Sequence, residues 1–108
     1  MVICLAVADD GSIDPRWGRA QRVAIATVEA GTITGWEEFD VSWDTLHDTG
    51  PEGAHHARVA RFLREHQVDT VLAQHMGEGM AHMLQKMGVT VRLGIAGDAR
   101  QAVTAAAV

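Results

Sequence analysis

Val2-Ile3-Cys4-Leu5-Ala6-Val7-Ala8 is an unbroken apolar run. A strand with no polar face has to sit inside a sheet that is covered on both sides. The run stops at Asp9-Asp10-Gly11-Ser12, a turn cluster. It has no basic start and is too short for a leader or a bilayer span, so a cytoplasmic location is expected. Cys4, the one cysteine of the chain, falls inside the run. It reads as a buried structural thiol, and a lone cysteine excludes both an intramolecular disulfide and a thiolate cage for zinc or iron–sulfur.

Working outward, Arg22–Glu29 and Thr32–Asp40 read as strands, and Ala30-Gly31 joins them in a tight hairpin. Glu37, Glu38 and Asp40 mark the later strand as a solvated sheet edge. The loop Val41–Gly53 closes with Thr49-Gly50-Pro51-Glu52, where Thr three residues before Glu fits a capping box. The helix that follows runs to about His66, with Val59, Phe62 and Leu63 on one face and Arg58, Arg61 and Glu65 on another. Asp69–Ala73 is a short strand. Gly77–Lys86 is a helix with Met80, Met83, Leu84 and Met87 at core spacing, and Gly88 ends it. Val89–Leu93 is the last strand, and Gly94–Gly97 leads into a helix capped by Asp98 with Gln101. The expectation is one α/β domain over residues 1–108, with three helices and a five-stranded mixed sheet. Its order is 3-2-1-4-5, strand 2 alone reversed, the first strand central and the third at an edge.

With 108 residues, 47% hydrophobic and 21% charged, the chain can bury one core. Its formal net charge of −5 argues against sequence-independent nucleic-acid binding.

The predicted topology gathers the loops Asp9–Arg19, Val41–Gly53, Gln74–Glu78 and Gly94–Gly97 at one rim. Strands 1 and 4 lie side by side there while their connections diverge, the usual crevice for a ligand in an open α/β sheet. Ala73-Gln74-His75-Met76-Gly77-Glu78-Gly79-Met80 runs from a strand end into a helix start, placing an imidazole, a thioether and bare helix amides together. His75 stands at the centre of the rim, with His47, His55 and His56 in the neighbouring loop and helix start. His66 is expected at the opposite end and His82 on a solvent face. Imidazoles with Met76 or a carboxylate (Asp9, Asp10, Glu78) would make a borderline-to-soft metal site, with His75, His55 and His56 as the metal-ligating candidates. No H-x-x-H or H-E-x-x-H spacing occurs. Arg16-Trp17-Gly18-Arg19-Ala20 adds two arginines about a Trp-Gly hinge, able to clamp an anion from the other side. The plainer alternative is a surface loop whose Trp17 covers the sheet end.

These features resemble the dinitrogenase iron–molybdenum cofactor biosynthesis family, the small NifX and NifB C-terminal-like domains. The resemblance rests on Ile3–Asp10 leading to a glycine, on Gly18-Arg19-Ala20 as the core of an H-F-G-R-A motif, on the Ala73–Gly77 turn, and on Val89–Gly97 with its helix. Arg16 and Trp17 stand where the family has histidine and phenylalanine, and Gln74 and His75 where two glycines are common. The resemblance implies a ribonuclease-H-like fold and a non-enzymatic protein that binds or carries an iron–molybdenum or related metal–sulfur cluster, or a metal oxyanion. Arg16, Trp17, Gly18, Arg19, His75, Met76, Gly77 and Glu78 are the expected binding residues. Cofactor-assembly proteins are the implied partners, with no nucleic acid and no membrane. Two other readings stay open: a cofactor-free interaction module, and a two-metal nuclease drawing on Asp9 and Asp10.

Overall fold

The computed structural model describes residues 1–51 and 53–107. Five strands, β1 (Val2–Ala6), β2 (Arg22–Glu29), β3 (Thr32–Asp40), β4 (Thr70–Leu72) and β5 (Thr90–Arg92), form one sheet in the order β3-β2-β1-β4-β5. β2 is antiparallel to both neighbours, while β1, β4 and β5 run parallel. The strand order, the single reversed strand and the central place of β1 are those read from the sequence.

Period-two alternation divides the core. Cys4, Ala6, Val23, Ile25, Val71 and Ala73 face one side, and Ile3, Leu5, Ala24, Ala26 and Leu72 face the other. β1 thus buries both faces. The first side is covered by α2 (Ala54–Glu65) and α3 (Glu78–Lys86), whose Val59, Leu63, Met80 and Leu84 supply the apolar stripe. The second side is covered by α4 (Ala99–Ala106) through Ala99 and Val103.

The sequence reading needs three corrections. Among the described residues four α-helices form rather than three, because Trp43–Leu46 makes a single helical turn, α1, inside the loop read as Val41–Gly53. Its reason is burial: Trp43 is 1% exposed and packs edge-on to Trp17 and Phe62. Second, α2 starts at Ala54 on an N-cap Gly53 in the left-handed region (φ 85°) with no side-chain cap. The helix therefore starts later than a Thr49–Glu52 box requires; Glu52 itself lies outside the described residues. Third, β1, β4 and β5 are shorter than their apolar runs. Val7 leaves the β1 ladder with one amide bond to the Arg22 carbonyl at 3.1 Å and an isolated bridge to Ile13. Asp69 flanks β4, its amide donating to the Val2 carbonyl at 3.0 Å and its carboxylate accepting from the Val2 amide at 2.8 Å.

The Asp98 cap forms as read, its carboxylate accepting from the Gln101 amide at 3.0 Å. His66 packs on Phe39 and Phe62, and His82 is exposed. No helix among the described residues is long and apolar enough to cross a membrane.

Candidate functional site

β1 and β4 end side by side, and the chain beyond each end forms a cleft of about 810 Å3. Arg16, Trp17, Gly18 and Arg19 line it from the loop after β1, and His75, Met76 and Gly77 from the turn after β4. An isolated parallel bridge between Arg16 and His75 holds these two segments together. The opposite wall comes from His47, Asp48, Gly50, Pro51 and Gly53 and from the α2 start at His55 and His56. Gly79 and Met80, in the first turn of α3, complete the lining.

Of the residues singled out from sequence, Arg16, Trp17, Gly18, Arg19, His55, His56, His75, Met76 and Gly77 share this cleft, and Glu78 is not among the lining residues. Asp9 and Asp10 lie apart. Asp9 is 3.4 Å from Arg22, and Asp10 is spent on the amide and hydroxyl of Ser12, which hold its carboxyl below the usual carboxylate range. The Gly94–Gly97 loop stays at the rim, where the Gly94 and Ile95 amides donate to the Gln74 and Ala73 carbonyls at 2.9 and 3.2 Å. It is not among the cleft-lining residues, and Gly97 accepts from the Ile13 amide before the chain enters α4 on the other face.

The histidines divide by what their nitrogens already do. His55 donates or accepts at both: Nε2 lies 2.7 Å from the Gly18 carbonyl and Nδ1 lies 2.9 Å from Arg58 Nη1. A guanidinium only donates, so Nδ1 is the acceptor and the ring is the neutral Nε2–H tautomer. Burial lowers the His55 pKa, helped by nearby Arg58 and opposed by the Gly18 carbonyl. With both nitrogens committed, this ring has no lone pair left for a metal. His47 is similarly engaged, Nδ1 at 3.1 Å from the Trp43 carbonyl and Nε2 at 3.0 Å from Asp48. His56 and His75 have no hydrogen-bond partner among the described residues and keep their nitrogens available.

Positive potential comes from three sources. α2 and α3 both open on glycine N-caps, Gly53 and Gly77, without side-chain caps. The Ala54 amide donates to the Pro51 carbonyl at 2.9 Å, and the remaining first-turn amides are left for solvent or a ligand. The two starts approach closely: a Cβ on Gly79 would stand 3.3 Å from the His56 ring. Arg19 is exposed and has no ion-pair partner among the described residues. Arg16 is different, because Asp14 takes its Nε at 3.2 Å, its Nη2 at 3.3 Å and its backbone amide at 2.9 Å. That carboxylate raises the Arg16 pKa further above the usual guanidinium range. Sequence reasoning passed over Asp14, although Asp two residues before Arg in a loop is a recurrent local pairing.

Trp17 lies at the back of the cleft, 1% exposed, and its indole N–H has no acceptor among the described residues. Leaving such a donor unpaired costs on the order of 1–3 kcal/mol. His47, read from sequence as a residue of the neighbouring loop at the rim, and Met80, read as part of the core stripe of its helix, are also lining residues. Among the described residues no three His, Cys, Asp or Glu side chains converge to hold a metal ion. The donors that do converge are two free imidazoles, two thioethers, a guanidinium and backbone amides.

The family profile described as "Dinitrogenase iron-molybdenum cofactor" matches residues 1–107. No curated protein matches the chain. Among solved structures, PH0822 superposes with a TM-score of 0.79 at 17% identity, covering 99% of this chain and 88% of that one. The apo form of the orange protein from Desulfovibrio gigas gives a TM-score of 0.72 at 27% identity, with 94% and 82% covered. The Thermotoga protein TM1290 gives 0.70 at 23% identity, with 96% and 84% covered. PH0822 and TM1290 are likenesses of fold alone.

Proposed function

Because the chain belongs to the dinitrogenase iron–molybdenum cofactor family, we propose that it is a carrier, not a catalyst, whose cargo is an anionic metal–sulfur cluster or metal oxyanion. The observation that carries this reading is the convergence of Arg19, two uncapped helix starts and the free rings of His56 and His75 on one cleft. Such a set attracts negative charge and offers borderline donors without enclosing a bare cation. A cluster that brings its own sulfur ligands needs few bonds from the protein, which suits a site without a convergent ligand triad. Met76 and Met80 supply soft, apolar walls, and the unpaired Trp17 N–H is a donor still to be used. Cofactor-assembly proteins are the partners this role requires.

We also take the order β3-β2-β1-β4-β5 as a ribonuclease-H-like motif. Nuclease chemistry does not come with it, because Asp9 and Asp10 are not cleft residues and converge on nothing.

The test is metal and sulfide content after anaerobic purification, followed by calorimetric titration with molybdate and tetrathiomolybdate. Tetrathiomolybdate is expected to bind more tightly, since its sulfur surface matches the thioethers. His75→Ala should remove that binding while leaving the apo thermal midpoint nearly unchanged. Retained binding, or a loss of apo stability as the main effect, would refute a cargo role for His75. No binding of either anion to wild type would refute the carrier reading itself.

A further inference from the structure

Two side chains in the first turns of α2, His55 and Arg58, bond across the walls of the cleft. Arg58 Nη1 donates to the Leu46 carbonyl at 2.9 Å and to His55 Nδ1 at 2.9 Å, and its Nη2 reaches the Thr49 carbonyl at 3.4 Å. His55 passes the connection on through Nε2–H to the Gly18 carbonyl at 2.7 Å. Three separate cleft walls, the 46–49 segment, the α2 start and the Trp17–Arg19 turn, are thereby tied by two side chains. The Trp43 ring stands edge-on behind His55 at 6.1 Å, which limits where the imidazole can turn.

We infer that His55 and Arg58 are positioning residues that hold the Trp17–Arg19 turn at the distance from α2 that the cargo requires. Neither touches cargo in this role. Arg58 cannot accept a hydrogen bond, so it selects the one imidazole tautomer that presents a donor to Gly18. Fixing that carbonyl fixes the peptide that joins Gly18 to Arg19, and with it the backbone point from which the free guanidinium reaches into the cleft. The turn is short of internal restraint: the Arg19 amide bonds Arg16 at 3.0 Å and the Ala20 amide bonds Trp17 at a longer 3.4 Å. Its ends are anchored, Arg16 by the bridge to His75 and Trp17 and Ala20 by burial, so the tether from α2 acts on the stretch between them, Gly18 and Arg19.

The inference rests on the cleft being the cargo site, and its test separates the two claims. Glutamine carries a donor and an acceptor at a spacing close to that of the two ring nitrogens, so His55→Gln can keep both bonds, while His55→Leu fills the space and keeps neither. Tetrathiomolybdate affinity should stay within about threefold of wild type in His55→Gln and fall at least tenfold in both His55→Leu and Arg58→Met. The double variant should lose no more than either single one, because the pair acts as one unit. Amide exchange at Gly18–Ala20 in the apo protein should quicken in the leucine and methionine variants and not in the glutamine variant. The inference is overturned if His55→Gln binds as poorly as His55→Leu, which would make His55 a ligand. It is equally overturned if Arg58→Met leaves affinity and exchange unchanged. If wild type binds no anion, the carrier reading fails and the exchange result alone decides the tether. If His55→Leu does not fold, Arg58→Met decides it.

Discussion

Removing the charge of Asp14 should improve cargo binding. Asp14 is buried to 7% exposure and holds Arg16, whose side chain is 61% exposed at the cleft. The carboxylate both occupies the guanidinium and opposes any anion that approaches it. An anion in contact with Arg16 would lie about 7 Å from the Asp14 carboxylate. At that range a unit charge repels each unit of anion charge by roughly 0.6–2.4 kcal/mol for effective dielectrics of 80 to 20. Asp14→Asn removes this repulsion and leaves an oxygen to accept the Arg16 amide. Tetrathiomolybdate Kd should therefore tighten about three- to sixtyfold per unit of anion charge, toward the lower end in salt. Stability should change in the opposite direction and only slightly, by a few degrees of Tm at most, because a pair with one exposed partner contributes little. The assay is titration calorimetry at low and moderate salt beside a thermal melt. A Kd that weakens or stays constant in a folded variant would refute the reasoning, since it would mean that Asp14 aims Arg16 at the cargo and does not compete for it.

Arg19→Ala should weaken the same anion by about 1–3 kcal/mol, the range for a lost charge-assisted bond, with an unchanged melt; equal affinity in the titration would remove Arg19 from the site. Ala30→Asn should stabilise the fold by about 0.5–1 kcal/mol in urea unfolding, because Ala30 (φ 52°) and Gly31 (φ 77°) form a hairpin turn with two positive φ values, where Asn-Gly is favoured; a lower midpoint would contradict it. His55 has a depressed pKa in the fold, so the stability it contributes is full above about pH 6.5 and drains as pH falls through its lower folded value; the Tm of His55→Gln should fall less over that window, and parallel curves would refute the assignment. Cys4 is fully buried, and burial pushes its thiol well above the ordinary range; iodoacetamide should label it only in denaturant, as read by mass, and rapid native labelling would count against that burial.

How far the sequence carried the reading depends on the range of the interactions. β2 and β3 appear with the boundaries Arg22–Glu29 and Thr32–Asp40 read from sequence, because a two-residue turn and period-two patterning are local signals. α1 was illegible for the converse reason. One turn, Trp43–Leu46, is shorter than any helical period, and only the packing of Trp43 on Trp17 and Phe62 selects it. The cleft was legible as a location, because strand order decides which loops share a rim. Its chemistry was less so. Six histidines look alike in a sequence, yet His55 is committed by a carbonyl 37 residues away while His56, the next residue, is not. The difference follows from helix geometry: neighbours in a helix point about 100° apart, so one ring turns to Gly18 and the other to Gly79. A ligand set drawn from histidine positions alone therefore mixes rings that hold the site with rings that face the cargo, and the partner of each nitrogen separates them. On that criterion His55 belongs with Arg58 as part of the frame, and His56 and His75 are the rings whose substitution should change what the cleft binds.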